Sequence, residues 1–415
     1  MGLWSGLSPM EGFLFREAVS DMRMLGVHRS ASLQVIFGSS VMMIMGVSLV
    51  YPVLPVIEEA LNIGKGQIGL VLTAFTLPAV FLSPLGGLLI DLRGRKQVLV
   101  ISLLLYGVSG SSIVFVDSLP LLLISRFLQG VAYAGIMPLV VVLIGDTFSK
   151  EQETTAQGVK VLLDRTALLF IPAAAGGLAA IAWQLPFALY AMAIPLGLAA
   201  WRWLPEQPIT KRTHAITYVK EVFQSSMRVR SLTIFSMSSM RFFLEMSFFI
   251  YVPLYAIDRL GVEVSSGGLL FTVFAIGSIT TAGMVGAIVR RFERVPIVIV
   301  AFALQGVCLA AASVSSDIWT MGGVMLVFGL ANGIISPAQK SLLTQSVASP
   351  LRGGFVASDR IWQNTAKSIA PLVAGTLVVA TSIETMFQVM AVLAFGWAFM
   401  VTVLHLRGAL RVEPI

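Results

Sequence analysis

Residues 86–100 read GGLLIDLRGRKQVLV, placing Asp91, Arg93, Arg95 and Lys96 within six residues, with Gly87 and Gly94 spaced around them. Long apolar runs flank the stretch on both sides, so it reads as a short polar connection between two hydrophobic segments. The rest of the chain says which kind of segment. Hydrophobic residues make up 57% of it and charged residues 12%, too little polar surface to coat a soluble globule. A membrane is the environment such a chain fits. A hydrocarbon core of roughly 30 Å needs about 20 apolar residues per helix. Runs of that kind recur twelve times, at 31–56, 67–90, 97–116, 119–146, 154–181, 185–204, 230–257, 266–289, 295–314, 318–346, 353–380 and 384–406.

Loop charges orient the spans. Connections from odd to even spans hold only Lys65 and Arg259 as cations, against seven acids that include Glu58, Asp258 and Glu384. The other side keeps most of the basic residues, among them Arg95, Lys96, Arg228, Arg294, Arg352 and Arg407. Cations are retained on the cytoplasmic face, so both termini are expected there, in a bacterial inner membrane or plasma membrane. The net charge of +7 reflects this topology, and no nucleic acid partner is expected. Residues 1–30 read as a cytoplasmic lead-in and 407–415 as a cytoplasmic tail. Cys308 is alone within a span and reads as a small buried filler.

The polar stretch 205–229 divides six spans, 31–204, from six, 230–406. Shifting the second half back by 199 residues superposes recurring features without a gap: GLVLTAF (69–75) on GLLFTVF (268–274), Gly87 on Gly286, Gly130 on Gly329, Pro172 on Pro371 and Gly176 on Gly375. One offset serving both sequence and predicted topology favours duplication, with two pseudo-symmetric six-helix halves.

In that frame the opening stretch connects spans 2 and 3, and there it resembles the signature of the major facilitator superfamily. The family pattern is Gly, any residue, Leu, small, Asp, basic, any residue, Gly, Arg, Lys or Arg. The chain supplies Gly87, Leu89, Asp91, Gly94, Arg95 and Lys96, with Ile90 at the small position and Leu92 at the basic one. The resemblance implies an all-α fold of twelve transmembrane helices. It also implies that Gly87, Asp91, Gly94, Arg95 and Lys96 form a conformational latch between the halves, Asp91 reaching a helix near Leu351 to Phe355. Physically, Gly87 permits close helix approach, Gly94 a tight turn, and Asp91 can face a positive helix N-terminus. Arg290 stands where the second half would repeat Asp91, so the latch should be asymmetric.

RFLQG at 126–130 resembles the family's span 4 motif. Resemblance to proton-coupled members implies that Arg126 influences the protonation of a nearby acid; a packing arginine is the other reading. Gln129 joins it as a candidate for substrate contact. FIPAAAGG at 170–177 resembles the span 5 motif of the drug:proton antiporter (12-span) branch, with Ile171 replacing its first Gly and the glycine pair one residue late. Helix bending is expected at Pro172 and Gly176, and at their counterparts Pro371 and Gly375.

Ionisable residues inside spans are expensive enough to count as functional candidates. Asp164, Arg165, Glu245, Asp359 and Arg360 are candidates for proton coupling or gating. Adjacent helical residues point about 100° apart, so each Asp should pair with something other than the Arg beside it. Arg241 and Glu245, four apart, can pair with each other. Arg241, Phe242, Trp362 and Lys367 are candidates for substrate binding, the aromatics as an apolar wall or as lipid-facing packing. Buried cations outnumber buried acids, which suits an organic anion or an anionic lipid-like amphiphile. The chain has no metal-ligand cluster, no phosphate-binding loop with Lys and Ser/Thr, and no nucleophile beside a His, so neither enzyme chemistry nor a cofactor is expected. The expected function is secondary transport of a small molecule by alternating access, with proton-coupled export of amphipathic compounds as the leading form. An anion transporter or uniporter is the alternative, and a transporter-like sensor a third class. Expected partners are the substrate, protons and the lipid bilayer, with a functional monomer.

Overall fold

The computed structural model describes residues 30–148, 150–206, 224–291, 293–346 and 352–408; within them, the side chains of 83–92, 150, 151, 154, 265, 283, 285–291, 344, 345, 352 and 353 are not described. The lead-in to residue 29, most of the 205–229 stretch and the tail from 409 lie outside the described residues, as do the side chains of Asp91 and Arg290 and all of Leu351.

Twelve long helices occur among the described residues. They are α1 Ala31–Ser48, α2 Leu70–Arg93, α3 Arg95–Ser111, α4 Leu119–Thr147, α5 Lys150–Ala179, α6 Ala193–Trp203, α7 Val229–Leu260, α8 Val264–Arg291, α9 Arg294–Ala312, α10 Ile318–Gln345, α11 Arg352–Ala380 and α12 Ile383–Leu406. Ten helical segments are long and apolar enough to cross a membrane, and α8 adds a shorter apolar stretch, Ser266–Ala282. α11 is long enough at 29 residues, but its middle carries Asp359, Arg360, Gln363, Asn364 and Lys367. Protein walls, not lipid, must face that polar content.

Local chemistry sets the breaks. α1 gives way to a 3-10 turn at Tyr51–Val53, where Pro52 cannot supply an N–H, and resumes as a short helix at Leu54–Ala60. Gly94, at φ 80°, is the single residue between α2 and α3, a left-handed conformation that favours glycine and makes the tight turn expected there. Asp317 caps α10 by accepting from the N–H groups of Trp319 and Thr320, both at 2.9 Å. Those bonds, that of Thr320 first, hold its carboxyl below the usual range. Large apolar side chains cover the outside, Phe115 and Trp319 at 88% and 86% exposure, as a lipid-facing surface requires.

The offset of 199 residues reappears in the contacts. Within each half, Gly130 of α4 lies against the Phe75 carbonyl of α2, and Gly329 of α10 against the Phe274 carbonyl of α8. Between the halves, α2 packs on α11 and α8 on α5. Thr73 Oγ1 donates to the Ser368 carbonyl at 3.1 Å, and Thr272 Oγ1 to the Leu169 carbonyl at 2.9 Å. Gly69 sits against the Pro371 backbone, and Gly268 against that of Pro172. Both pairs obey the offset residue for residue. Pro172 and Pro371 lie inside continuous helices, and with Gly176 and Gly375 they form crossing points between the halves.

These crossings close the bundle at the end where odd helices lead into even ones. Lys65 pairs there with Asp258, across the halves, and Tyr251 donates to the Lys65 carbonyl at 3.1 Å. Just inside, Tyr51 of the first half stacks on Phe271 at 5.3 Å and meets Phe249 edge-on at 5.3 Å, both from the second half. An aromatic roof therefore lies beneath the closed end.

Candidate functional site

Below the roof, the faces of α5 and α11 that look at the opposite half can be read from the crossings. Pro371 touches the first half, and at 100° per residue Arg360, Asn364 and Lys367 share its side of α11. Arg165 shares the side of Pro172 on α5, and it donates to Ser278 Oγ of α8 at 2.9 Å. These cations thus face the space between the halves.

The neighbouring acids turn into their own halves. Asp164 accepts from Ser40 of α1 and, at 2.6 Å, from Lys160 one turn earlier. Asp359, 3% exposed, accepts from Ser238 of α7 and, at 2.6 Å, from Gln363 one turn later. The frame is symmetric, since Lys160 and Asp164 correspond to Asp359 and Gln363 under the offset, but the charge is not. Asp164 has a lysine; the hydrogen-bond partners of Asp359 are neutral. In both Asp-Arg dipeptides the acid ties α5 or α11 to the first helix of its half, and the arginine faces the other half.

α7 completes the cluster. Arg241 pairs with Glu245 at 3.6 Å, and its Nη1 reaches Asn332 Oδ1 of α10 at 3.5 Å; Asn332 donates in turn to Glu245 Oε2 at 2.8 Å. The guanidinium of Arg241 lies 3.9 Å from the Phe242 ring centroid and Lys367 Nζ lies 4.0 Å from the same centroid. Lys340, which the sequence marks as an ionisable residue inside the tenth span, lies within electrostatic reach of Arg241, Arg165, Lys160 and Arg360.

Three expectations change. Gln129 does not line the cavity: it is fully buried, and its Oε1 accepts from Arg126 at 2.6 Å. Among the described residues Arg126 is the largest fully buried side chain, and its partners are the carbonyls of Gly46 and Val71, Gln129 and the Tyr190 hydroxyl, with no carboxylate among them. The packing reading fits it. Trp362 lies about 200° around α11 from Arg360, is 41% exposed and stacks on Phe235 at 6.3 Å, so it points away from the space between the halves. Phe75, Phe248, Phe249 and Tyr251 are buried. In the latch segment, Arg95 pairs with Asp146 at the end of α4, within its own half, and Lys96 opens α3 beside it.

A helical membrane protein in two offset-related halves, with ionisable groups gathered where the halves meet, has the form of an alternating-access transporter. The sequence profile described as Major Facilitator Superfamily matches residues 36–358 and again 234–411, and the chain belongs to that superfamily. It is 34% identical over 121 residues to the bacillibactin exporter of Bacillus subtilis (strain 168), a stretch covering 28% of this chain and 30% of the exporter. It is 29% identical over 153 residues to the quinolone resistance protein NorA of Staphylococcus aureus, covering 37% of this chain and 39% of NorA. The matches thus span well under half the length of these relatives. Among solved structures, the nucleoside transporter NupG superposes with a TM-score of 0.72 at 14% identity, over 90% of this chain and 99% of that one. The chain is thus a member of this superfamily with an exporter among its relatives.

Proposed function

We propose that the protein exports amphipathic compounds by rocking its two halves about the central cluster, drawing on the proton gradient. The observation that carries this reading is the cluster itself: ionisable side chains from α5, α7, α10 and α11 gather beneath an aromatic roof at a meeting of halves closed at one end. The similarity to a bacillibactin exporter supports the direction of transport. Both termini lie in the cytoplasm on this reading, the closed end faces outward, and a single chain carries out the cycle.

Asp359 is the proposed proton carrier. Protonating Asp164 would break its ion pair and leave Lys160 without an acid, whereas protonating Asp359 orphans no cation held in an ion pair. The test uses purified protein in vesicles with an imposed pH gradient and a lumenal pH dye, challenged with separate panels of lipophilic cations and organic anions while labelled-substrate flux is followed. Substrate should drive proton movement in the wild type. Asp359→Asn should cut it at least about fivefold while substrate exchange persists, and Asp164→Asn should keep the proton-to-substrate ratio. Substrate flux without proton movement would mean a uniporter or another coupling ion.

The Asp91 latch belongs to the same cycle. Asp91→Asn should slow transport severalfold with no loss of folded protein; a wild-type rate in that variant would remove the latch.

A further inference from the structure

We infer that the central site takes an organic anion, its charged group held by Lys367 and Arg241 with Arg360 in reach of a second acceptor, and its apolar body laid against Phe242. The inference rests on the export reading only in taking the space between the halves as the substrate's.

The orientation of the dipeptides is the first ground. Asp164 and Asp359 spend their oxygens on Ser40, Lys160, Ser238 and Gln363, while Arg165 and Arg360 face the opposite half. The acids act on these cations through space, but their hydrogen-bonding oxygens are turned to their own halves and leave the cations' donors on the facing side. Glu245 is the remaining carboxylate of the cluster, and one of its oxygens already accepts from Asn332 at 2.8 Å while lying 3.6 Å from Arg241.

Unused donors are the second ground. Arg241 is 8% exposed, and its Nε is buried with no acceptor among the described residues. Its other recorded contacts, at 3.5 and 3.6 Å, are at the outer limit of a hydrogen bond or ion pair. Among the described residues, Lys367 and Arg360 donate no hydrogen bond, and Lys367 rests on the Phe242 ring that Arg241 already occupies. One ring quadrupole recovers only a fraction of what a buried and a half-buried cation lose. An anion between them would satisfy the orphaned donors and relieve the mutual repulsion of Arg241, Arg360 and Lys367.

Geometry sets the ligand's form. Arg360 and Lys367 are seven residues apart on one face of α11, about 10 Å along the helix. A compact head can engage Lys367 and Arg241 beside Phe242, and a second acceptor on the same molecule can reach Arg360. Among the described residues of the cluster, Glu245 is the carboxylate a lipophilic cation would have to use, and it is already shared with Asn332 and Arg241.

Matched probes test the inference. Equilibrium binding of tritiated 2-naphthalenesulfonate and tritiated trimethyl(2-naphthyl)ammonium to the purified full chain compares opposite charges on one aromatic body. The sulfonate should bind at least about tenfold more tightly. Lys367→Met should lower sulfonate affinity about tenfold and leave the ammonium unchanged or improved, while Lys367→Arg should keep most of the sulfonate affinity and confirm that the site still folds. Preference for the ammonium, or unaltered sulfonate binding in Lys367→Met, would overturn the inference. The same proteins in vesicles separate the two readings: sulfonate bound but not moved by the gradient fails the export reading alone, and gradient-driven flux without sulfonate preference fails the anion site alone.

Discussion

Leucine in place of Gly69 or Gly268 should force the closed end apart and reduce transport to below about a tenth of the wild-type rate. A Cβ on Gly69 would lie 2.8 Å from the Pro371 carbonyl oxygen, and one on Gly268 would lie 2.6 Å from that of Pro172. Both obstacles are backbone atoms of helices in the opposite half, so no side chain can turn aside. Overpacking of this kind costs about 1–3 kcal/mol or more, and about 2–3 kcal/mol alters a two-state ratio roughly 30- to 150-fold. Separation of the halves relieves the clash while each six-helix unit stays packed, so the cost falls on one conformation of the cycle and not on folding. Gly130 is the contrast: it meets the Phe75 carbonyl inside its own half, and a side chain there should lower thermal stability instead. The measurement is labelling by a membrane-impermeant maleimide of a cysteine placed at Leu54, a buried position near the roof, with Cys308 replaced by serine. Fast labelling in the Gly69→Leu and Gly268→Leu proteins is expected, with slow labelling in the parent. Unchanged labelling together with wild-type transport would show that these crossings do not hold the end closed.

That the two glycines behave alike is a consequence of the offset of 199 residues, which is visible in the sequence because hydrophobic spans, prolines and glycines all recur at it. Span edges were legible to within a few residues for the same reason, although the helices run on past several of them. α5 begins at Lys150, four residues before its hydrophobic run, because polar turns outside the hydrocarbon can remain helical. Rotation of the helices was harder to read. Arg126 and Gln129 share a side of α4, but whether that side looks at the central space or at α1, α2 and α6 depends on packing that hydropathy does not encode. Trp362 was misplaced for the same cause. The crossings held the missing information: once Pro172 and Pro371 are taken as contact points between halves, helical periodicity alone turns Arg165, Arg360 and Lys367 toward the opposite half and Trp362 away from it.

An anionic substrate also fits the energetics of export. An inside-negative potential drives an anion outward by about 2.3 kcal/mol per charge for each 100 mV. The cation excess of the site and the proposed direction of transport are therefore compatible without further assumptions about the cargo.

Arg126→Ala should destabilise the first half by about 3–5 kcal/mol, the range for emptying a large buried site and stranding a polar partner. The guanidinium donates to the Gly46 carbonyl of α1 at 2.7 Å, to that of Val71 in α2 at 3.4 Å, to Gln129 of α4 at 2.6 Å and to the Tyr190 hydroxyl at 3.3 Å. Its carbon lies 4.4 Å from the Phe75 ring centroid. One side chain thus joins three helices and the turn leading to α6, and its charge is offset by dipoles and a ring, not by an acid. Removing it leaves Gln129 with neither end satisfied, since its Nε2 already has no partner. Lysine keeps the charge but cannot present the planar fork that spans Gly46 and Gln129, so Arg126→Lys should melt between wild type and alanine. The second half shows an apolar solution to the same packing problem: Met325 and Phe328 occupy the offset positions of Arg126 and Gln129, both fully buried. Arg126→Met with Gln129→Phe should therefore recover much of the stability lost in Arg126→Ala, measured as thermal melting in detergent. If Arg126→Ala melts like the wild type and only its transport falls, the arginine acts on the transport cycle itself, and the reading of it as the tie that holds the first half together is wrong.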